Sequence, residues 1–135
     1  MNRIAVGLDG TSGGLAAADW AAHEAELRGA ALELVHIEDW PKDPPFPVPL
    51  PESRRQWAED LLGQAREQLL REHPALDART VIGQPAIQIL DAAVGAALVV
   101  VGRRIRRSAL GTHTGPITHA VMHHATSPVA VVAHD

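Results

Sequence analysis

Apolar and polar positions follow two distinct patterns along this chain. Short aliphatic runs that end at turn-forming residues indicate buried strands. Between these runs, apolar residues recur with a period of about 3.6, as they do in amphipathic helices. The strands are predicted at residues 4–8, 31–37, 78–82, 97–101 and 128–133, and the helices at 15–28, 53–73, 85–94 and 117–125.

The regular alternation of strands with helices predicts a doubly wound α/β fold. This order favours a parallel sheet with helices on both faces, because each crossover between parallel strands needs a helix. Right-handed crossovers restrict the connections to a few topologies. We see no internal repeat and no second domain in the sequence, so residues 1–135 are predicted to form one domain.

The predicted helices carry inward-facing stripes of aliphatic residues. Ser53 and Gln56 have the spacing of a capping box and are predicted to open the second helix. Residues 39–51, which contain six of the ten prolines, and residues 102–114 are predicted to be loops. The predicted stripes are Leu15, Ala18, Ala22, Ala25 and Leu27 in the first helix, Trp57, Leu61, Ala65 and Leu69 in the second, and Ile87, Leu90, Ala93 and Val94 in the third.

Composition limits the classes of partner. The formal net charge is −4, so the chain as a whole does not attract nucleic acid. The absence of cysteine excludes disulfides, thiolate metal sites and cysteine nucleophiles. The longest apolar run, 92–101, is about half the length that a membrane span needs, and the first residues do not have the pattern of a signal peptide. We therefore expect a soluble cytoplasmic protein with no membrane or nucleic-acid partner.

Two glycine-containing loops are candidates for a ligand site. Ligands of doubly wound sheets bind beyond the carboxyl ends of the strands, where the winding direction reverses. The loops at 9–14 and 102–107 follow the first and fourth predicted strands. Glycines let a phosphate approach the backbone, and the next helix offers free N–H groups. The alternative is that these glycines serve only as turn residues. Neither loop is a P-loop, and neither contains GxGxxG.

Several segments, taken together, resemble the universal stress protein family. They are Val6 to Thr11, Ala18 to Ala21, Leu34 to Ile37, Gly83 to Ala86, and the closing stretch from Leu98 to Val132. The resemblance covers the chain except for the proline-rich loop, and the motifs are specific only in combination. It implies a five-stranded parallel sheet in the order 3-2-1-4-5 and, for most members, a homodimer.

Many members of that family bind ATP through a motif of Gly, two residues, Gly, nine residues, and Gly followed by Ser or Thr. Gly102 and Gly115 match this motif, whereas Ile105 replaces the second Gly and Pro116 replaces the hydroxyl residue. Ile105 has a branched side chain where the backbone meets the phosphates, and Pro116 lacks both a hydroxyl and an N–H. The resemblance therefore implies binding of ATP or AMP that is weakened, with Mg²⁺ only together with the nucleotide.

Arginines beside this motif are candidates to replace the lost contacts. Those at 103, 104, 106 and 107 can make bidentate contacts with phosphate, or they form a solvated basic loop. By resemblance, Asp9 lies near the ribose and Ile37 holds adenine through its backbone. The nucleotide-binding residues predicted in this way are Gly7, Asp9, Thr11, Ile37, Gly102, Arg104, Arg106, Gly115, Ile117 and Thr118.

Three functions stay open at this point. The first is a stress-response regulatory module that binds an adenine nucleotide and acts through protein partners, favoured by Asp9, Gly102 and Gly115. The second is a family member that has lost nucleotide binding and acts only by protein association, favoured by Ile105 and Pro116. The third is a small nucleotide-handling enzyme with weak ATP hydrolysis, for which the sequence shows no recognisable base or metal set. No catalytic residue is predicted.

Other motifs carry less information. His119 and His123 have the i, i+4 spacing of a metal-binding pair, but no further ligand completes a set, and surface histidines of a helix are the alternative. Residues 113–115 are similar to part of the HxGH motif of nucleotidyltransferases, whose final His is replaced by Pro116. We therefore predict no metal site.

The last strand is a candidate dimer interface. In the strand order that the family implies, Val129 to Val132 lies at a sheet edge, with no charge to protect it before His134. Exposed aliphatic edges aggregate unless they are covered or paired. A two-fold axis would pair the strand with its copy and close the assembly. The alternative is that the proline-rich loop covers this edge.

Overall fold

The computed structural model describes residues 2–8, 12–36, 51–82, 89, 93–104 and 121–134. Five strands and two long helices have defined bounds within these ranges. In chain order they are β1 (Arg3–Leu8), α1 (Ser12–Arg28), β2 (Ala31–His36), α2 (Pro51–Glu72), β3 (Ala78–Val81), β4 (Leu98–Arg104) and β5 (Val129–His134). Residues 121–124, between β4 and β5, are also helical.

The strands form one parallel sheet in the order β3-β2-β1-β4-β5. This arrangement confirms the predicted α/β class and the strand order 3-2-1-4-5. β1 is the central strand, and its Val6 pairs with Leu34 of β2 and with Val100 of β4. The chain adds β2 and β3 on one side of β1, and β4 and β5 on the other. The winding direction therefore reverses at β1, and all carboxyl ends lie along one edge of the sheet.

Apolar side chains cover both faces of the sheet. Successive side chains of a strand point to opposite faces, so Ile4 and Val6 pack on the face that α1 and α2 cover, while Ala5 belongs to the other face. The second face also buries Ile89 and Val121. Burial on both faces explains why β1 and β4 read as continuous aliphatic runs and not as alternating ones.

Several element boundaries differ from those predicted. α2 begins at Pro51 rather than at Ser53, because proline is well suited to the first turn of a helix, where its missing N–H has no partner to lose. β2 is described as far as His36, and Ile37, its predicted last residue, lies outside the described residues. β4 continues to Arg104, where a loop was predicted from residue 102, because its pairing with β5 extends as far as Arg104 and His134.

The buried face of α1 differs from the predicted stripe. Leu27 is 70% exposed and Leu15 is 46% exposed, so both were wrongly placed in the core. Leu27 follows Ala18 by nine positions, which at about 100° per residue puts it on the opposite side of the helix. Small side chains let α1 approach the sheet closely. The residues that make this contact, each at most 1% exposed, are Ala17, Ala18, Ala21, Ala22 and Ala25.

The other two stripes are confirmed in part. Ala65 and Leu69 of α2 are buried as predicted, but Trp57 is 50% exposed. Ala93 is buried, whereas Val94 is 63% exposed and was wrongly predicted. Ile89, which the predicted stripe did not include, is fully buried, whereas Ile87 and Leu90 of that stripe lie outside the described residues. Within the described ranges, no helix has both the length and the apolar character to cross a bilayer.

Candidate functional site

An opening between the two central strands lies at the carboxyl edge of the sheet. β1 pairs with β4 only as far as Val6 and Val100. In contrast, β1 stays paired with β2 as far as Leu8 and His36, and β4 stays paired with β5 to the end of both strands. The sheet therefore separates into two halves beyond Val6. This crevice lies where the winding reverses, which is where doubly wound sheets bind ligands.

Glycines lie on both sides of this crevice. Gly7 is the next-to-last residue of β1 and is buried, and Gly102 of β4 lies two residues beyond the last β1–β4 pair. Neither has a positive φ. What they contribute here is the absence of a side chain and not an unusual backbone conformation. A ligand can therefore approach the backbone of both strands where they separate.

A cleft of about 430 Å³ lies next to the crevice, between α1 and α2. The two share the end of β1, since Gly7 borders the crevice and Leu8 lines the cleft. The volume falls within the range of about 300–1,000 Å³ that is usual for small-molecule sites. The lining residues are Leu8, Leu15, Trp57, Asp60, Leu61, Gln64, Ala65 and Gln68.

Trp57, which lines this cleft, forms an aromatic pair with His36. The ring of His36, the last residue of β2, is 3% exposed, and it meets the half-exposed indole of Trp57 edge to face. The ring centroids are 5.5 Å apart. The contact connects the carboxyl end of β2 to the start of α2 and keeps the indole at the cleft. A flat apolar surface of this kind suits a planar heteroaromatic group.

Polar groups of α2 distinguish the cleft from the crevice. Asp60 lines the cleft, and its Oδ1 accepts a hydrogen bond of 3.0 Å from Gln56 Nε2. This carboxylate disfavours phosphate, whereas the amides of Gln64 and Gln68 can both donate and accept hydrogen bonds. The cleft is therefore better suited to a neutral base, and a phosphate is better placed at the crevice, near the arginine-bearing end of β4.

Three of the predicted site residues lie at this edge. They are Gly7, Gly102 and Arg104, of which Arg104 is described by its backbone alone. The other predicted residues, and both departures from the family motif, lie outside the described residues: Asp9, Thr11, Ile37, Arg106, Gly115, Ile117, Thr118, Ile105 and Pro116. His119 of the weighed histidine pair lies outside them too, and His123 is exposed, with its ring 6.4 Å from that of His124.

The cleft itself was missed from the sequence. Leu15 and Trp57 were both placed in the core, and His36 was treated only as part of a strand. One signal was available, because aromatic residues make up only 3% of the chain and Trp57 lies just after a predicted loop at the ligand edge. That Leu15 and Trp57 face each other across two helices could not be read from the sequence.

The fold and this edge define a doubly wound α/β domain with a candidate small-molecule site at the reversal of its winding. The profile of the "Universal stress protein family" matches residues 1–133. The chain belongs to the universal stress protein family.

Individual relatives agree with this assignment. A universal stress protein of Mycolicibacterium smegmatis is 33% identical over 143 residues, which cover 98% of this chain and 48% of that protein. The chain thus spans about half the length of the curated relatives that it matches. A universal stress protein solved in complex with cAMP has a TM-score of 0.71 at 22% identity, covering 99% of this chain and 98% of the other.

A universal stress protein of Archaeoglobus fulgidus, solved in complex with dAMP, also has a TM-score of 0.71. It is 20% identical to this chain and covers 98% of both chains. At such low identity, the two solved structures establish the shared fold.

Proposed function

We propose that this chain is a regulatory domain that binds an adenine nucleotide, ATP or AMP, at the carboxyl edge of its sheet. The observation that carries the proposal is the separation of β1 from β4 beyond Val6 and Val100. It leaves an opening bordered by Gly7 and Gly102, next to the cleft that Trp57 lines. In this proposal the phosphate lies at the crevice and the base lies in the cleft.

The ligands of the two solved relatives support the choice of nucleotide. One relative is in complex with cAMP and the other with dAMP. Both ligands combine an adenine base with a single phosphate. The division of the edge into a cleft lined by Trp57 and a glycine-bordered crevice matches that combination. We expect the domain to act in the cytoplasm by binding the nucleotide and contacting protein partners, and not by catalysis.

A second function is favoured by two residues of the phosphate motif. Ile105 and Pro116 remove backbone freedom and two donors from the expected phosphate cradle. Each lost bond to a charged group is worth about 1.5–3 kcal/mol, so two losses correspond to a weakening of about a hundredfold or more. A domain with that loss would act by protein association alone. The first function is preferred because the crevice itself is present.

The test starts with the protein as purified. It is denatured, and the released small molecules are identified by mass spectrometry. The stripped and refolded protein and its Gly115→Trp variant are then titrated calorimetrically with ATP and with AMP. We expect adenine nucleotide binding by the wild type and its loss in the variant, because an indole at Gly115 blocks the motif.

Each outcome of that test separates the candidates. Equal binding heats for both proteins would remove the predicted site. No released nucleotide together with no binding heat would favour the protein-association function. Phosphate release from ATP at rates well above those of the Gly115→Trp variant would favour a weak ATPase.

We also propose that the chain forms a homodimer through β5. β5 is an edge strand that pairs with β4 on one side. Its residues Val129 to Val132 are only partly buried, and Ala133 is exposed. An antiparallel contact with a second copy of β5 would bury these side chains and pair the backbone groups of the edge.

A further inference from the structure

Three side chains that can bind a metal ion converge where α1 meets the end of α2. They are Asp19 of α1, Glu72 at the end of α2, and His73, which directly follows α2. One ligand atom of each lies within 4.8 Å of the corresponding atoms of the other two. Both helices run back from the carboxyl edge of the sheet, so the end of α2 is close to the opposite, amino-terminal edge.

The backbone of His73 is held from both sides. Its N–H donates to the carbonyl of Leu69 at 2.7 Å, and its own carbonyl accepts from the N–H of Leu76 at 3.1 Å. Leu69 and Leu76 are both buried. The imidazole itself is only 13% exposed, so the surrounding protein fixes its orientation.

A fourth side chain orients the imidazole. Glu26 lies seven positions after Asp19, two turns along the same side of α1. Its Oε1 is 2.6 Å from Nδ1 of His73, which is a short hydrogen-bond distance. Since a carboxylate only accepts, Nδ1 carries the proton, and the lone pair of a neutral imidazole is then on Nε2. A histidine that donates Nδ1–H to a carboxylate is the usual arrangement behind a metal ligand.

The free lone pair faces negative charge. Nε2 of His73 lies 3.8 Å from Oδ1 of Asp19, beyond hydrogen-bond distance, and the Glu72 carboxylate is close by. Two carboxylates and a nitrogen lone pair repel each other unless a positive charge lies between them. A bound cation supplies that charge, and a protonated His73 is the alternative that the experiment must separate from it.

We propose that His73 Nε2, Asp19 and Glu72 bind a divalent transition metal ion of the zinc type, with Glu26 as the positioning residue. Imidazole nitrogen together with carboxylate oxygen suits Zn²⁺, whereas Mg²⁺ and Ca²⁺ prefer oxygen alone. Ligand atoms about 2.1 Å from a tetrahedral zinc ion are about 3.4 Å from one another. The 3.8 Å separation of Nε2 and Oδ1 is close to this value. The three ligand atoms lie within 4.8 Å of one another, and a rotamer change of the exposed Glu72 can bring its carboxylate closer.

The surroundings leave room for the ion. Asp19 and Glu72 both line a small cleft of about 130 Å³ between α1 and α2. The Asp19 side chain is 64% exposed, so the ion can enter from solvent and keep water at its remaining positions. The ion would join α1 to the end of α2. It would therefore stabilise the contact of the two helices that also form the nucleotide cleft.

The experiment uses the full chain after treatment with EDTA and desalting. ZnCl₂ is titrated by calorimetry, and we expect one Zn²⁺ per chain. Asp19→Asn and His73→Gln are each expected to weaken binding at least tenfold. The matched control is His124→Gln, which removes an exposed histidine next to Val121 on the other face of the sheet and is expected to bind like the wild type.

The positioning role of Glu26 is tested by a measurement that a purely structural role would not affect. In the metal-free protein, the ¹⁵N shifts of the His73 ring are expected to show the proton on Nδ1. Addition of Zn²⁺ is expected to shift Nε2. In Glu26→Ala the proton is expected to move toward Nε2, with Zn²⁺ binding weakened by about 10- to 100-fold.

Two results would overturn the proposal. One is the absence of one-to-one Zn²⁺ binding by the wild type, which would leave a protonated His73 to balance the carboxylates. The other is wild-type affinity in Asp19→Asn. Because the Asp19 side chain is mostly exposed, Asp19→Asn is expected to fold. It therefore keeps the test decisive even if His73→Gln fails to fold.

Discussion

The imidazole of His36 lies edge-on to the indole of Trp57, with ring centroids 5.5 Å apart and an interplanar angle of 83°. His36 ends β2 and Trp57 lies near the start of α2, so the pair connects both sides of the segment between them. The indole is held at the mouth of the α1–α2 cleft, although half of its surface is exposed. In the function proposed above, this indole contacts the base of the nucleotide.

Replacing Trp57 by Ala should therefore weaken AMP binding about fivefold, since an aromatic contact is worth about 1 kcal/mol. Calorimetric titration measures the effect. Trp20→Ala is the matched control, because Trp20 is partly exposed on α1 but does not line the cleft. Equal affinities for Trp57→Ala and Trp20→Ala would contradict the placement of the base.

Restoring the phosphate motif should strengthen ATP binding. The double variant Ile105→Gly with Pro116→Ser returns the flexible backbone and the donors that the family motif contains. We expect a gain of about 1 kcal/mol or more, or about fivefold in affinity. Adenosine is the control ligand, because it has no phosphate and its affinity should stay unchanged. An unchanged ATP affinity would mean that the arginines beside the motif already replace the missing groups.

The proposed dimer should depend on β5 and not on the other edge of the sheet. Sedimentation velocity at micromolar concentration is expected to show a dimer for the wild type and a monomer for Val131→Lys. Thr80→Lys places the same charge on β3, the opposite edge strand, at an exposed position, and should leave the dimer intact. A monomeric wild type, or a dimer that survives Val131→Lys, would disprove the interface.

Two glycines should respond to alanine with opposite signs. Gly29 follows α1 with a φ of +62°, and Ala30 N–H donates to Ala25 at 2.9 Å, as in a helix-terminating turn. Gly29→Ala should therefore lower the free energy of unfolding by about 1 kcal/mol. Gly63 lies within α2, and a Cβ there would meet no atom within 4 Å. Gly63→Ala should raise the same quantity by about 0.5–1 kcal/mol.

Urea unfolding at constant protein concentration checks both changes. The two variants carry the same chemical substitution, so a difference in sign reports backbone conformation alone. A stabilised Gly29→Ala would contradict the left-handed end of α1, and a destabilised Gly63→Ala would contradict the open surroundings of Gly63.

Much of the fold could be predicted because it depends on local patterns. The buried strands β1 and β4 contain continuous aliphatic runs, Ile4 to Val6 and Leu98 to Val101, and these are visible without knowledge of their neighbours. The strand order came from resemblance to the family and was confirmed. Of the candidate site, Gly7 and Gly102 were predicted by resemblance to the family, and the structure places both beside the crevice.

The side of each helix that faces the sheet was harder to predict. A stripe that mixes leucine and alanine does not indicate which side of the helix is buried. In α1 the alanines of the stripe are buried, and Leu27 is exposed to solvent. The reason is distance, because small side chains let the helix approach the sheet until larger ones no longer fit beneath it. A pattern of apolar residues does not contain that distance.

The sequence by itself determined the strands, the alternation that makes the sheet parallel, and the family motif at Gly102, since each is a property of neighbouring residues. Only the tertiary structure decided where β1 and β4 separate, and which side chains meet between α1 and α2. His36 contacts Trp57 across 21 positions, and His73 contacts Glu26 across 47. Contacts at such separations depend on how two helices pack on one sheet, and that packing is set by the whole chain at once.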